Sequence, residues 1–465
     1  MRADPDDERL ARRGHRAAAV AILVAGAGTT ALVACRSAGS PRPNVLLLVM
    51  DTARGDRCSF DGNPRPTTPR LDEFAKDAVV FREAWSPANW TAPAHASLFT
   101  GLRAEHHGLH SGNRSYLASG ISTLAERLAA EGWSTASFSN NSVVSQEFGL
   151  TQGFETQVPL FDRRDLPYPW AHTTHDEAML WARREAGAGK PFFLFINDME
   201  PHVPYTPVPE MAARFVRGTP TPEETAAASA YEYPSTLAYC LRVEELTDAQ
   251  RDLLSDLYDA EIATLDAEIG VLLDRLRADG LLDSTLVVIA SDHGENLGEH
   301  HMMEHSLGLH RTLLHVPLVV RFPGVFDKGR VVGEVVRLED VYPTVLETCG
   351  ISVPPDLDGV SLTRDLAGRV ACAVQYPQDE RREGIEKLFG SVPAMAPLLR
   401  GVESAYDGRF HFLRYSDGAE EMFDVADDPG ETRDVRSAHP DDVRRLRGLL
   451  APGVRPSNDL GRTPR

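Results

Sequence analysis

The chain has 465 residues, of which 42% are apolar and 25% are charged, a composition typical of a globular protein with a large core and not of a disordered chain. Its formal net charge is -20. Because the phosphate backbones of nucleic acids are bound by clustered Lys and Arg, this charge argues against nucleic acid as the partner.

An apolar stretch follows several arginines near the start of the chain. Residues 17–34 read AAAVAILVAGAGTTALVA and end in small residues, as secretory signal peptides do. The sequence LVAC at its end resembles the bacterial lipobox, which implies cleavage before Cys35 and lipidation of that thiol. We predict a signal peptide at 1–34, a tether at 35–43 and an exported protein anchored by lipid in the bacterial cell envelope. A single transmembrane anchor is the alternative, since the stretch lies at the lower end of spanning length.

Short apolar runs alternate with helical patterns along the rest of the chain. The runs that predict buried strands are at 45–50, 192–196, 285–290 and 316–320. Leucines and isoleucines recur at three- and four-residue steps from Asp248 to Asp279, which predicts a long helix with Thr247 and Gln250 as a capping box and Gly280 as its stop.

This alternation predicts an α/β fold with a mainly parallel central sheet flanked by helices on both faces. Beyond about residue 370 the sequence changes to short alternating pieces such as RFHFLR at 409–414, which predict a small antiparallel addition. We therefore predict a large α/β domain at 44–368 and a small α+β C-terminal subdomain with a frayed tail at 369–465.

Polar side chains follow three of the predicted strands. Asp51 ends the first strand, Asp198 follows the second, and Asp292 and His293 follow the third. In open α/β sheets ligands bind beyond the carboxyl ends of the strands, so these side chains are expected to converge. Carboxylates and an imidazole are the ligands that a divalent cation needs. The sequence therefore predicts a metal site at this edge of the sheet.

Three segments, in this order, carry a family resemblance: NVLLLVMD at 44–51, TAPAHASLFTG at 91–101 and SDHGE at 291–295. They resemble the sulfatase family of the alkaline phosphatase superfamily. Further matching segments lie at 67–72, 201–204, 259–266, 340–345 and 422–429. The resemblance covers nearly the whole mature chain and implies the family's α/β fold. It also implies a metal-dependent hydrolase of sulfate or phosphate esters, acting on a small-molecule, glycan or lipid ester.

The chain departs from the sulfatase signature C-x-P-S-R-x-x-L-x-T-G at three positions. Thr91, Ala94 and His95 replace the Cys, Ser and Arg that the formylglycine-generating machinery reads, so the usual aldehyde cannot form. A formylglycine hydrate releases sulfate by eliminating it from carbon and reforming the aldehyde. A threonine sulfate cannot do this and would require attack on sulfur. Other branches of the superfamily use Thr or Ser directly and form a phosphoenzyme. Thr91 therefore favours phosphate chemistry.

The resemblance also implies the composition of the metal site. Asp51, Asp292 and His293 would hold one divalent ion, and the Thr91 hydroxyl would be both the fourth ligand and the nucleophile. Sulfatases usually carry a second aspartate where this chain has Thr52, which weakens a calcium assignment, and the imidazole ligand is more typical of zinc or manganese.

Three further histidines enter the expected site. The resemblance implies that His202 and His305 contact the non-bridging oxygens of the substrate or protonate the leaving alcohol. His95 either donates to Thr91 or to the metal-bound oxygens, or stabilises the turn. Asp198 and His202 are four residues apart, the spacing that two-metal phosphatases of this superfamily use, so a second ion is an alternative.

Two other classes of function compete with the hydrolase. A transferase would move phosphoglycerol or phosphoethanolamine onto a surface polymer through the same phosphothreonine, but such enzymes usually follow several transmembrane helices. A catalytically inactive binding protein would have kept the fold alone. The joint presence of Asp51, Asp292, His293 and a hydroxyl at position 91 argues against it, because an inactive site has no need of that combination.

Overall fold

The computed structural model describes residues 42–110, 116–163 and 165–450. The predicted signal peptide, Cys35, the tether up to residue 41 and the tail from residue 451 lie outside the described residues. The strands are β1 Asn44–Met50, β2 Val79–Trp85, β3 Ser134–Ser139, β4 Thr156–Pro159, β5 Phe192–Asp198, β6 Thr285–Ala290, β7 Asn296–Leu297, β8 Met303–Glu304, β9 Leu318–Arg321, β10 Arg330–Arg337, β11 Ala371–Gln375, β12 Val402–Tyr406, β13 Phe410–Tyr415 and β14 Glu420–Asp424.

The helices are interspersed with these strands in the chain, and the last helix follows β14. They are α1 Pro69–Ala75, α2 Thr91–Thr100, α3 Ala104–His107, α4 Leu124–Ala130, α5 Trp170–Gly187, α6 Pro209–Phe215, α7 Pro222–Ser229, α8 Ser235–Cys240, α9 Asp248–Ala278, α10 Arg311–Leu314, α11 Val341–Thr348, α12 Arg382–Phe389, α13 Met395–Leu399 and α14 Pro440–Arg447. Within the described residues, none of these helices is long and apolar enough to cross a membrane.

The central sheet has eight strands in the order β10-β2-β9-β6-β1-β5-β3-β4. β1 pairs in parallel with β5 on one side and with β6 on the other. Of the eight, only β9 runs antiparallel to its neighbours, β2 and β6. This arrangement confirms the predicted α/β fold with a mainly parallel central sheet.

Both faces of this sheet are covered, which explains the uninterrupted apolar run in β1. Alternate residues of β1 point to opposite faces, as the pleat requires. Val45, Leu47 and Val49 lie in the core on the side of α2. Leu46, Leu48 and Met50 lie in the core on the side of α9. Helix α9 begins and ends as the sequence predicts, with Thr247 and Gln250 forming a capping box.

A second sheet, formed by the antiparallel strands β11-β12-β13-β14, follows the central one in the chain and confirms the small antiparallel addition. It packs against the end of β2, where the rings of Trp85 and Tyr406 stack with centroids 4.1 Å apart. His411 of β13 forms a buried ion pair with Glu431, whose other oxygen accepts from the backbone N–H of Arg311 at 2.7 Å. The two sheets are therefore joined by buried contacts.

Candidate active site

The carboxyl ends of neighbouring strands bring the predicted metal ligands together. β1 ends at Met50 and β6 at Ala290, and because these strands are adjacent and parallel, Asp51 and Asp292 emerge side by side. Ligand atoms of Asp51, Asp292 and His293 all lie within 4.8 Å of one another, and all three residues are buried. The structure therefore assembles three of the four predicted metal ligands.

The two carboxylates have few partners for their charge. Within the described part of the chain, Oδ1 of Asp51 and Oδ2 of Asp292 have no hydrogen-bond partner. Burial and then the nearby Asp51 carboxylate hold the pKa of Asp292 well above its usual range. Two buried like charges are unfavourable unless a cation lies between them, so the donor set fits a divalent ion.

The His293 imidazole is oriented as a metal ligand. Its Nδ1 donates to the carbonyl of Gly294 at 2.9 Å, so Nε2 carries the free lone pair. Nε2 lies 3.4 Å from Oδ2 of Asp292 and 3.5 Å from Oγ1 of Thr91. Burial, and next the charge of His305, hold the pKa of His293 well below its usual range. A neutral imidazole is the form that binds a metal.

Thr91 is the first residue of α2, where Trp90 is the N-cap. Its Oγ1 lies beside the metal ligands, 3.5 Å from His293 Nε2, and Asn141 Nδ2 donates to it at 3.4 Å. The first N–H groups of a helix lack intrahelical partners, and the positive end of the helix dipole favours anions. The Thr91 hydroxyl therefore lies where an anionic ester would be stabilised.

Two asparagines that the sequence analysis did not identify hold Asp51. Asn141 Nδ2 donates to Oδ2 of Asp51 at 2.6 Å, and Asn197 Nδ2 donates to the same oxygen at 3.2 Å. Each amide oxygen faces away from Asp51: Asn141 Oδ1 accepts from the N–H of Val143, and Asn197 Oδ1 lies 3.3 Å from the hydroxyl of Ser139. The sequence feature that could have identified Asn141 and Asn197 is their position at the ends of β3 and β5.

The structure brings His202 and His305 together with the metal ligands. The His305 ring centroid lies 4.6 Å from that of His293 and 5.0 Å from that of His202. Burial lowers the pKa of His305, but the Glu295 carboxylate, 3.0 Å from Nδ1, outweighs it and raises that pKa to about 9. His305 is therefore a cationic donor at neutral pH. His202 Nδ1 donates to the carbonyl of Val203 at 2.6 Å, which leaves its Nε2 for other contacts.

The other two predicted site residues are His95 and Asp198. His95 is fully buried, and its Nδ1 donates to the Thr91 carbonyl at 3.0 Å, which stabilises the first turn of α2, and lies 3.5 Å from Oδ2 of Asp292. Oδ2 of Asp198 accepts from His175 Nε2 at 2.9 Å, so one oxygen of this carboxylate already has a hydrogen-bond donor. In the ranges that the structure describes, the Asp51 cluster is the only group of three such ligands.

Sequence comparison assigns the family. Residues 43–351 match the family model described as Sulfatase, and residues 298–444 match the model described as N-sulphoglucosamine sulphohydrolase, C-terminal. The first match covers well over half of the chain.

Curated relatives and solved structures agree with this assignment. Arylsulfatase K of Gallus gallus is 27% identical over 466 residues, which cover 88% of this chain and 82% of the relative. The ulvan-active sulfatase of Formosa agariphila is 25% identical, with 83% of this chain and 76% of the relative covered. The phosphonate monoester hydrolase of Agrobacterium radiobacter shares the fold, with a TM-score of 0.68, 24% identity, and 87% of this chain and 94% of that chain covered. The chain belongs to the sulfatase family of ester hydrolases.

Proposed function

We propose that this enzyme hydrolyses phosphate esters through Thr91 as the nucleophile. The observation that carries the proposal is a threonine hydroxyl, and no cysteine, at the first position of α2 beside Asp51, Asp292 and His293. Sulfate bound to a threonine oxygen cannot be released by elimination from carbon, because no aldehyde can form there. Phosphorus bound to threonine remains open to attack by water.

The expected metal ligands are Asp51, Asp292, His293 and the Thr91 hydroxyl. When bound, a divalent ion supplies Lewis acidity, which lowers the pKa of a hydroxyl and offsets the charge of the ester. This set offers three oxygen ligands and one nitrogen, whereas calcium prefers six to eight oxygens. We therefore favour manganese or zinc over calcium.

The side chains of the site can perform two successive displacements at phosphorus. The Thr91 oxygen, its proton already lost to solvent, attacks phosphorus while the bond to the leaving oxygen breaks, and His305 or His202 gives a proton to the departing alcohol. Water then attacks phosphorus and gives a proton back to the same histidine, and the bond to the Thr91 oxygen breaks, which regenerates the Thr91 alkoxide. The N–H groups at the start of α2 stabilise the negative charge that develops in both steps.

A paired activity measurement tests this proposal. Metal-stripped protein is reloaded with manganese, zinc or calcium and assayed on bis-p-nitrophenyl phosphate and on p-nitrophenyl sulfate. We expect turnover of the phosphodiester that requires manganese or zinc and exceeds turnover of the sulfate. Faster turnover of the sulfate would overturn the argument from threonine. Turnover of neither ester would favour the transferase or the inactive binding protein.

The proposal places the enzyme outside the cytoplasm, anchored by lipid on Cys35, with a small-molecule, glycan or lipid ester as substrate. The support is the leader sequence at 17–34 and the LVAC tetrapeptide. In a bacterial host, a Cys35→Ser variant should leave the membrane fraction, while a Ser37→Ala control stays there. Retention of both variants in the membrane would instead favour the transmembrane anchor.

A further inference from the structure

The loop that carries His305 has an unusual backbone. We call residues 298–308 the histidine loop. Left-handed φ angles occur at Gly298 (112°), His300 (54°), His301 (59°), Glu304 (58°), Ser306 (74°) and Gly308 (82°). Four of these six residues carry a Cβ, which makes this conformation unfavourable. Such a backbone persists only where the surrounding structure holds it.

Part of that support comes from the C-terminal sheet. Gln375, the last residue of β11, is 3% exposed. Its Oε1 accepts from the backbone N–H of Gly308 at 2.7 Å and from Asn89 Nδ2 at 2.9 Å, and its Nε2 donates to the carbonyl of Arg400 at 2.9 Å. One amide group therefore connects the histidine loop, the segment that precedes Thr91 and the C-terminal sheet.

A second glutamine of the C-terminal region holds the same loop. Gln378 Nε2 donates to the carbonyl of Ser306 at 2.7 Å. The Ser306 N–H donates in turn to the carbonyl of Asn89 at 2.9 Å, and Asn89 Nδ2 also donates to the carbonyl of Gly308 at 2.8 Å. Ser306 follows His305 directly, and Asn89 precedes Thr91 by two residues. These contacts therefore fix His305 relative to Thr91.

We propose that Gln375 and Gln378 are positioning residues, through which the C-terminal sheet sets His305 against the Thr91 nucleophile. This inference rests on the proposed function, and it makes the C-terminal sheet a part of the catalytic unit. If Oε1 of Gln375 is lost, the backbone N–H of Gly308 and one of the two Nδ2 hydrogens of Asn89 are left buried without an acceptor. The unfavourable backbone of the histidine loop then relaxes, and His305 moves away from the leaving oxygen.

Two substitutions at position 375 separate positioning from general stability. Gln375→Met keeps a similar shape but removes both the acceptor and the donor to the Arg400 carbonyl. Gln375→Glu keeps an acceptor for Asn89 and Gly308 and, because burial favours the neutral acid, a donor to the Arg400 carbonyl. Phe412→Leu is the matched control, because Phe412 is buried on the other face of the C-terminal sheet against α14. We expect Gln375→Met to lower kcat on bis-p-nitrophenyl phosphate roughly 10- to 100-fold with little change in KM, since small displacements of catalytic groups have effects of this size. Gln375→Glu should restore most of kcat, and Phe412→Leu should lower Tm while leaving kcat unchanged.

Hydrogen exchange provides a readout that does not depend on activity. We expect Gln375→Met to speed amide exchange in the histidine loop and in residues 86–90, and Phe412→Leu to leave both segments unchanged. Two results with an active wild type would overturn the positioning role alone. One is an unchanged kcat in Gln375→Met. The other is an equal loss of kcat in Phe412→Leu when the two variants have the same Tm. A wild type inactive on both esters would overturn the proposed function itself, whatever the exchange pattern.

Discussion

Replacement of Thr91 by alanine is expected to lower turnover of bis-p-nitrophenyl phosphate by roughly 10⁴- to 10⁶-fold, the range found when a covalent nucleophile is removed. The substitution deletes the atom that bonds to phosphorus and leaves Asp51, Asp292 and His293 in place. Thr91→Ser keeps a hydroxyl at the same position and should retain most of the activity. Steady-state kinetics of both variants, with saturating metal, measure the difference.

Loss of fold should not mimic this result, because the contacts of the Thr91 hydroxyl are long. Its distances to Asn141 Nδ2 and His293 Nε2 are 3.4 Å and 3.5 Å. Thr91→Ala should therefore unfold close to the wild-type temperature. Acid quenching during a single turnover should leave one p-nitrophenyl phosphoryl group on the peptide that contains Thr91. Full activity in Thr91→Ala would show that water attacks the ester directly.

The sequence predicts those parts of the fold that depend on local pattern. β1, β5 and β6 are buried on both faces, so each contains an uninterrupted apolar run. Helix α9 is long enough for its periodicity to be clear. Strand β3 reads STASFS, and its buried small polar residues do not form the apolar run that identifies a central strand. Its place beside β5 is a tertiary property.

The same division applies to the site. Asp51, Asp292 and His293 were identifiable because each follows a recognisable strand. Asn141 contacts Asp51 only because β3 lies in register with β5, with Ser139 opposite Asn197. The orientation of an amide, or the choice of a carboxylate's partner, depends on packing between distant segments.

The C-terminal contacts show this limit most clearly. Asn89 and Gln375 lie 286 positions apart in the chain, yet their side chains are 2.9 Å apart in the folded protein. Neither residue belongs to a motif that predicts catalysis. Their relation to Thr91 and His305 becomes visible only when the second sheet is placed against the first.

Substitution of Asp292 by asparagine should have opposite effects on the metal-free and the metal-bound protein. Asp51 and Asp292 are buried carboxylates, each with an oxygen that lacks a partner in the described structure. Removal of one charge relieves their repulsion, so metal-free Asp292→Asn should have a higher Tm than metal-free wild type. The Oδ1 position can still accept from the N–H groups of Thr52 and His293, so the local fold is preserved.

Asp292→Asn should also lose the stabilisation that metal binding gives to the wild type. A ligand at 100 times its Kd stabilises the folded state by about 2.7 kcal/mol, and we expect wild type with manganese to gain stability of this order while Asp292→Asn gains none. Asp61→Asn is the matched control. Asp61 is also a carboxylate whose buried oxygens have no hydrogen-bond partner among the described residues, and burial raises its pKa to about 8. It lies outside the cluster of Asp51, Asp292 and His293. Thermal unfolding with and without manganese measures all three proteins. An undiminished rise in Tm for Asp292→Asn would place the ion elsewhere, and a lower Tm of its metal-free form would show that the carboxylate pair is not a source of instability.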